Sequence, residues 1–349
     1  MTLQLQTVTN TLKKQKADAI LLIAKINRTW FCNCNTEFGI IVINQKQQVR
    51  IFVDHRDYEQ IKKTVKGYHI ELFERYSQFA SWIKTQHFQT VLIEADTLTV
   101  SQFDRLIKPL KFPHVINFNS DQLRIVKTPA EIKAIKKACD IAVAGVAYLR
   151  KIAKVGVTER YLKDSLIKFF LNKYNVVPSF DPIILSGPNT ALPHGVSGNR
   201  KIKRGEFILV DIGCIYHNYC SDISRTFWIG TLPASLQKLY NTVLIAQQRG
   251  LKSVVCAAKA SNVDTACRDY IDSFPQYKNQ FNHATGHGVG INIHELPTVG
   301  PKSEYVLVNN EVLTVEPGIY LNGIGGVRIE DTVIVNNNKC INLTVKAKK

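Results

Sequence analysis

An aspartate lies inside an apolar run of this sequence, at position 211 within Phe207–Ile212. An ionised carboxylate in such a strand is costly unless it is paired or binds a metal. Residues 206–227 predict two strands that are joined by a turn, and each strand carries one aspartate. Asp222 follows Asp211 by eleven positions and is expected on the returning strand, where it can face Asp211 across the hairpin. The fold must therefore provide these carboxylates with a metal ion or with other polar partners.

The same hairpin also allows a purely structural interpretation. One aspartate could cap the turn while the other bonds Arg225. Nothing within residues 206–227 distinguishes this arrangement from a metal site, so the other polar segments have to decide between them.

A second polar segment, residues 283–295, contains three histidines in twelve residues among small glycines. The histidines are His283, His287 and His294. Glycine allows a backbone to approach a site closely, and histidine is a common metal ligand and general base near neutral pH. A single histidine is more often a polar residue with ordinary partners, but three with this glycine spacing favour a metal or catalytic loop.

Two more carboxylates occur in strand-like runs near the C-terminus. Glu316 precedes a Pro-Gly pair and is predicted to end its strand at a turn. In residues 325–335 the two-residue period of a strand places Arg328 and Glu330 on one face. Taken singly, each glutamate could equally be a solvated residue at the end of a strand.

Four carboxylates and one histidine together suit a pair of divalent metal ions. Two bridging carboxylates can hold such ions ~3.5–4 Å apart and activate a water between them. An oxygen-rich ligand set favours manganese, cobalt or iron over a purely structural zinc ion. We therefore expect two divalent metal ions, with manganese first and cobalt, iron or zinc as alternatives.

The length of 349 residues predicts two domains, because single domains usually have ~100–150 residues. Thr128, Pro129 and Glu131 form a capping box that begins a long helix, which sets a boundary just before it. Residues 1–124 alternate strand-like runs with amphipathic stretches, which indicates an α/β domain. Residues 125–349 mix strands and helices without strict alternation, which indicates an α+β domain.

Hydrophobic periodicity also predicts individual elements. Strands are expected at 38–42, 49–53 and 91–93, and helices at 58–64, 79–85, 159–173, 236–258 and 263–274. The helix that follows the capping box should bury one apolar face, formed by Ile132, Ile135, Cys139, Ala142 and Val146.

The order and spacing of the four carboxylates and the histidine resemble the ligand set of the pita-bread metallopeptidases, the family of methionine aminopeptidases, Xaa-Pro aminopeptidases and prolidases. The matching residues are Asp211, Asp222, His287, Glu316 and Glu330. The resemblance covers almost the whole chain and implies a pita-bread catalytic domain after a smaller creatinase-like N-terminal domain. It also implies that Asp211 holds one metal ion, that His287 and Glu316 serve the other, and that Asp222 and Glu330 bridge both. Glu316 would in addition handle the proton of the attacking water.

Further matches indicate the proline-specific branch of this family. His194 resembles the family histidine that contacts the substrate, and His294 resembles the one that stabilises the tetrahedral intermediate. His283 and Arg328 resemble supporting residues that bind substrate in that branch. The linker at residues 124–131 is similar to the start of the branch's catalytic domain. The resemblance thus implies hydrolysis of peptides with proline in the second position.

One departure from the branch concerns the length of the substrate. Its dipeptidases commonly carry an arginine just after the proline of a His-Glu-x-Pro motif, where it can bind the C-terminal carboxylate of the substrate. Here the motif begins at His294 and is followed by Thr298. Because a bidentate arginine recognises a carboxylate best, its absence favours an Xaa-Pro aminopeptidase that accepts longer peptides over an Xaa-Pro dipeptidase (prolidase).

The formal net charge of +17 suggests a different class of function. A basic surface attracts nucleic acids and anionic membranes. The lysines and arginines form short, dispersed clusters, so a solvated basic surface is the better interpretation. A catalytically silent relative that binds RNA is the remote alternative, but such relatives tend to lose metal ligands and none is lost here.

The N-terminal residues show no basic stretch followed by an apolar one, and no apolar run approaches the ~18–20 residues of a membrane span. We therefore expect a cytoplasmic protein without a membrane anchor. The eight cysteines are scattered and are expected to be reduced thiols, with a zinc site at Cys32 and Cys34 as a minor alternative. The family resemblance implies a homodimer.

Overall fold

The computed structural model describes residues 2–347. The chain divides into two compact units, Met1–Arg124 and Ile125–Lys349. Each unit has its own sheets and its own hydrophobic core. Among the helices of residues 2–347, none combines the length and the apolar character that a bilayer crossing requires.

The N-terminal unit is built around one six-stranded sheet. Its helices are α1 (Leu3–Lys14), α2 (Lys25–Cys32), α3 (Tyr58–Thr64), α4 (Tyr76–Thr85) and α5 (Val100–Leu106), with 3₁₀ turns at Lys108–Leu110 and Ser120–Leu123. Its strands are β1 (Ala19–Leu22), β2 (Ile40–Asn44), β3 (Val49–Val53), β4 (His69–Leu72), β5 (Thr90–Glu94) and β6 (His114–Phe118). The strand order is β4-β3-β2-β1-β5-β6; β2 is antiparallel to both neighbours and the other pairs are parallel. This mixed sheet with its helices confirms the predicted α/β class.

Glu94, the last residue of β5, is fully buried and accepts hydrogen bonds from the start of α2. Its carboxylate accepts from the main-chain N–H groups of Ile23 and Ala24 and from the side chain of Asn27, at 2.5, 2.7 and 2.5 Å. Burial raises the pKa of Glu94 to about 7, although these hydrogen bonds act in the opposite direction.

The pKa of Glu94 is higher in the folded chain than in the unfolded chain, so the folded state binds more protons and stability falls as the pH rises through about 7. We expect the free energy of unfolding to drop by on the order of 3 kcal/mol between about pH 4 and pH 8, from the pKa difference converted at ~1.4 kcal/mol per unit. In Glu94→Gln this contribution should be absent, so stability should fall less with pH than in the wild type, while the buried carboxylates of the C-terminal unit keep their own contribution. Urea unfolding followed by tryptophan fluorescence, to which Trp30 and Trp82 contribute from the N-terminal unit and Trp228 from the C-terminal unit, measures both proteins, and an unchanged pH dependence in the variant would contradict the prediction.

The C-terminal unit combines long helices with short antiparallel strands. Its helices are α6 (Pro129–Ile152), α7 (Glu159–Tyr174), α8 (Ala234–Ser253) and α9 (Ala260–Asp272), with 3₁₀ turns at Gly187–Ala191 and Pro275–Tyr277. Its strands are β7 (Val177–Pro178), β8 (Ile183–Ser186), β9 (Phe207–Ile212), β10 (Cys214–Tyr216), β11 (Tyr219–Cys220), β12 (Ile223–Trp228), β13 (Gly286–Gly288), β14 (Glu295–Val299), β15 (Val312–Val315), β16 (Gly318–Leu321), β17 (Gly325–Arg328), β18 (Asp331–Ile334) and β19 (Ile341–Asn342). They form sheets of order β12-β9-β8, β14-β13-β15-β18-β19, β11-β10-β7 and β16-β17. This arrangement confirms the predicted α+β class.

The start of α6 forms as predicted. The N–H of Glu131 donates to Thr128 Oγ1 at 3.3 Å, and the N–H of Thr128 donates to Glu131 Oε2 at 2.7 Å. The expected apolar face is buried at Ile135, Cys139, Ala142 and Val146. Further along the chain, α8 ends at Ser253 rather than at residue 258, because the backbone becomes extended at residue 254.

Residues 206–227 form the predicted hairpin, which turns at His217 and Asn218 and keeps one register from the β9–β12 pair to the β10–β11 pair. The chain leaves β9 at Gly213, where an added Cβ would lie 1.9 Å from the carbonyl oxygen of Ser221, and continues into β10 and β11. Asp222 lies on the returning arm, in the short gap between β11 and β12, and the residue opposite Asp211 is Ser224. The turn at His217 and Asn218 sets this register, so Asp222 is two positions from the residue opposite Asp211.

Residues 325–335 form two strands, β17 and β18, instead of one. Glu330 lies in the break between them, and its N–H donates to the carbonyl oxygen of Ser224 at 3.1 Å. Arg328 Nε donates to Ser224 Oγ at 2.9 Å, and that hydroxyl donates to Glu330 Oε2 at 2.9 Å. Both side chains therefore face the same site, as the two-residue period predicted.

Candidate metal centre

Three of the residues expected as metal ligands converge in the C-terminal unit. One donor atom from each of Asp222, His287 and Glu330 lies within 4.8 Å of the others. Asp222 precedes β12, His287 is the central residue of β13, and Glu330 separates β17 from β18. Strand pairing thus brings together side chains that are far apart in the sequence.

The imidazole of His287 has a defined orientation. Its Nδ1–H donates to the carbonyl oxygen of Gly288 at 3.0 Å, which leaves the lone pair of Nε2 facing the carboxylates. Nε2 lies 3.5 Å from Asp222 Oδ2 and 3.4 Å from Glu316 Oε1. Burial lowers the pKa of His287 to about 4, so the ring is neutral and these contacts are not ion pairs. Electron-rich atoms therefore face one another across this gap.

Three carboxylates of the cluster have raised pKa values, and two carboxylate oxygen atoms lack hydrogen-bond partners among residues 2–347. Burial first, and the neighbouring carboxylates second, raise the pKa of Asp222 and Glu330 well above ordinary carboxyl values. Burial raises the pKa of Glu316 to about 8. Asp211 Oδ1 and Glu330 Oε1 are buried and have no hydrogen-bond partner among residues 2–347.

The donor set fits divalent metal ions. A buried acceptor without a partner costs ~1–3 kcal/mol, and several buried carboxylates repel one another unless a cation lies between them. An imidazole whose far nitrogen donates to a carbonyl oxygen is the usual arrangement of a metal-ligating histidine. A cation between these atoms would satisfy the unpartnered oxygens and the lone pair of His287 at the same time.

A chain of hydrogen bonds connects the cluster to His283. Arg328 Nη2 donates to Asp211 Oδ2 at 2.6 Å, and Arg328 Nη1 donates to the hydroxyl of Tyr320 at 2.7 Å. That hydroxyl donates to His283 Nε2 at 2.9 Å, and His283 Nδ1 donates to the carbonyl oxygen of Ala284 at 2.8 Å. Burial and the charge of Arg328 lower the pKa of His283 to about 4. Both ring nitrogens of His283 therefore have partners within the protein.

The remaining histidines lie near these groups and are exposed. The ring of His294 packs edge-on against that of His287, with centroids 4.3 Å apart. His194 follows the 3₁₀ turn at Gly187–Ala191, close enough to His283 to contribute to its lowered pKa. The structure thus brings every sequence-predicted histidine to the metal cluster or to the hydrogen-bond chain beside it.

The alternative interpretation of the aspartates is wrong as regards Arg225. Arg225 Nη2 donates to Asp331 Oδ1 at 2.6 Å, and both side chains of this pair are fully buried. The arginine bonded to Asp211 is Arg328. Strand register explains why Arg225 does not bond Asp211. Ser224 is the residue opposite Asp211, and Arg225 comes one position later, opposite Val210. Its side chain therefore lies on the other face of the sheet.

Sequence reasoning missed three supporting residues: Ser224, Thr314 and Tyr320. Thr314 Oγ1 accepts from the N–H of His287 at 3.1 Å and donates to Glu316 Oε1 at 3.2 Å. Strand alternation could have indicated Ser224, two positions after Asp222. No local signal distinguishes Thr314 or Tyr320 from ordinary strand residues.

Comparisons with known proteins agree with this geometry. Residues 133–337 match metallopeptidase family M24, and residues 4–126 match the Creatinase/Prolidase N-terminal domain. A Mycoplasma genitalium protein, provisionally named an Xaa-Pro aminopeptidase, is 38% identical over 333 residues, which cover 95% of this chain and 93% of that protein. The Xaa-Pro dipeptidase of Pyrococcus furiosus is 32% identical over 346 residues, which cover 98% of this chain and 97% of that protein.

A solved structure of an Xaa-Pro peptidase is also similar to this chain over almost its whole length. The Xaa-Pro dipeptidase from Bacillus anthracis is similar with a TM-score of 0.93 and 34% identity, over 99% of this chain and 98% of that chain. The names of these three proteins share the Xaa-Pro substrate and differ in whether it is a dipeptide.

Proposed function

Because this chain belongs to metallopeptidase family M24, we propose that it is an Xaa-Pro aminopeptidase, which hydrolyses the bond between an N-terminal residue and a following proline. The observation that carries the proposal is the set of buried carboxylates around the neutral imidazole of His287, with two oxygen atoms that lack partners among residues 2–347. The names of the relatives support the Xaa-Pro substrate.

Two divalent ions are proposed to occupy the cluster. Their ligands would be Asp211 for one ion, His287 and Glu316 for the other, and Asp222 and Glu330 for both. Bound divalent ions would supply Lewis-acid polarisation of the scissile carbonyl and a lowered pKa for water. The oxygen-rich donor set favours manganese, with cobalt, iron or zinc as alternatives.

Glu316 is proposed to accept the proton of the attacking water. Burial raises its pKa to about 8, and a general base works best with a pKa near the operating pH. His294, beside His287, is proposed to donate a hydrogen bond to the oxyanion that develops on the scissile carbonyl. The exposed His194 is proposed to contact the scissile amide. His283 and Arg328, which both bond the hydroxyl of Tyr320, are proposed to support the binding of the substrate.

A second candidate function, Xaa-Pro dipeptidase (prolidase), is favoured by the names of the Pyrococcus furiosus and Bacillus anthracis relatives. It differs only in requiring a dipeptide. Assays of the manganese-loaded protein with Gly-Pro and Gly-Pro-Ala test the choice. Cleavage of both peptides is expected for the aminopeptidase, and cleavage of Gly-Pro alone would favour the prolidase.

Thr298 is the residue on which substrate length is proposed to depend. It is exposed and lies opposite His287 in the pair of β13 and β14, so the two side chains lie on one face of the sheet. Thr298→Arg is expected to raise the ratio of kcat/KM for Gly-Pro over Gly-Pro-Ala at least ~10-fold, since a hydrogen bond to a charged group contributes ~1.5–3 kcal/mol. Thr298→Gln, which is long but uncharged, is the control and should change the ratio little. An equal shift in both variants would contradict a charge-based effect.

The same proposal includes a cytoplasmic location and a homodimer. RNA binding without catalysis is the alternative from another class, and the charge of +17 motivates it. Purified protein without metal or peptidase activity, but with salt-sensitive RNA binding, would favour that alternative.

A further inference from the structure

An ion pair on α9 lies beside the segment that carries His283 and His287. Asp264 and Arg268 are four residues apart on this helix, and two guanidinium nitrogens of Arg268 donate to the two oxygens of Asp264 at 2.8 Å each. The side chain of Asp264 is 1% exposed and that of Arg268 is 23% exposed. A bidentate pair of this kind fixes the direction of the remaining N–H groups of the guanidinium.

Those remaining groups hold the backbone of the histidine segment. Arg268 Nη1 donates to the carbonyl oxygen of Phe281 at 2.5 Å, and Nη2 donates to the carbonyl oxygen of His283 at 2.8 Å. The guanidinium carbon lies 4.2 Å from the centre of the Phe281 ring. That ring in turn packs edge-on against the imidazole of His283, with centroids 4.9 Å apart. One arginine thus fixes two carbonyl groups and one ring on this segment.

Asp264 extends the contact towards Glu316. Its Oδ1 also accepts from Thr285 Oγ1 at 2.7 Å, and the carbonyl oxygen of Thr285 accepts from the N–H of Glu316 at 2.8 Å. Gly286 comes next and lies so close to β15 that an added Cβ would be 2.0 Å from the carbonyl oxygen of Thr314. The main chain before His287 is therefore held between α9 on one side and β15 on the other.

We propose that the Asp264–Arg268 pair is a positioning device for the candidate metal centre. It holds residues 281–285 so that His287 and Glu316 present their donor atoms at the same place. Groups outside a ligand set that orient the ligands typically change metal affinity or activity by ~10–100-fold when they are replaced. The inference rests on the proposed function for its activity readout, while manganese affinity tests it independently of any substrate.

Arg268→Gln tests the proposal, and Arg249→Gln is its matched control. Arg249 belongs to α8, and its guanidinium carbon lies 4.1 Å from the centre of the Tyr270 ring on α9, so the control also removes an arginine–aromatic contact that involves α9. In Arg268→Gln we expect manganese affinity to fall ~10-fold by calorimetry and kcat for Gly-Pro-Ala to fall ~10–100-fold, with KM within ~3-fold. Arg249→Gln should match the wild type within ~2-fold in each quantity.

Arg268→Lys provides a second variant in case the glutamine variant does not fold. Lysine keeps the charge but cannot reproduce the planar fork, so we expect a melting temperature near that of the wild type and manganese affinity still reduced several-fold. Wild-type affinity in Arg268→Lys, or equal effects of Arg268→Gln and Arg249→Gln, would overturn the positioning role. If the wild type binds manganese without cleaving Gly-Pro-Ala, the proposed function fails, and the affinity comparison still decides the role of the pair.

Discussion

Replacing Glu330 by alanine is expected to abolish hydrolysis of Gly-Pro-Ala and to weaken manganese binding by more than ~100-fold, beyond the range typical of residues that only support a ligand set. Glu330 is 1% exposed, and its Oε1 has no hydrogen-bond partner among residues 2–347. A buried oxygen of this kind is available for a cation, and the same side chain contributes one of the three converging donor atoms. Calorimetry with manganese and kcat for Gly-Pro-Ala measure the two losses separately.

Glu311→Gln is the matched control for Glu330→Ala. Glu311 is also fully buried in the C-terminal unit, and burial raises its pKa to about 7. Its Oε1 accepts from the hydroxyl of Tyr305, and its Oε2 lacks a partner within the described part of the chain. A general effect of losing a buried carboxylate would appear in both variants, whereas we expect Glu311→Gln to keep metal binding and kcat within a few-fold of wild type. Metal-dependent activity that survives in Glu330→Ala would remove this residue from the proposed ligand set.

Manganese is expected to raise the melting temperature of the wild-type chain by ~5–10 °C near pH 8. A ligand at about 100 times its Kd adds ~2.7 kcal/mol to the free energy of unfolding. For a unit of this size, each kcal/mol raises the melting temperature by ~2–4 °C. The increment should be smaller near pH 5.5, because a cation must then displace protons from carboxylates whose pKa values burial has raised, Glu316 to about 8. His287 adds little to this trend, since its pKa of about 4 leaves it neutral across the range.

The sign of this effect follows from the carboxylates in the metal-free chain. Their pKa values are higher in the folded than in the unfolded state, so the stability that they contribute is lost as the pH rises through the folded-state values. Manganese should restore that stability where the loss is greatest. Scanning calorimetry with and without a chelator at both pH values measures the increment, and Glu330→Ala should show little increment at either. An increment that is larger at pH 5.5 would contradict the proposed role of the carboxylates.

The parts of the fold that the sequence predicted well depend on residues close together in the chain. The capping box of α6 needs only Thr128 and Glu131, three positions apart, and it forms as expected. The hairpin at 206–227 also forms as predicted, but the residue opposite Asp211 is Ser224 and not Asp222. The period of hydrophobic residues assigns side chains to faces but does not specify which residues lie opposite each other.

By itself, the sequence determined which residue types are available to the site and in what order, since carboxylates in apolar strands and glycine-spaced histidines are local features. The tertiary structure alone decided that Arg328 bonds Asp211 across 117 positions and that Arg225 bonds Asp331 across 106. It also decided that the Nε2 lone pair of His287 faces the carboxylates. Strand register sets these partners, and register depends on pairing between distant segments, so no local pattern specifies it.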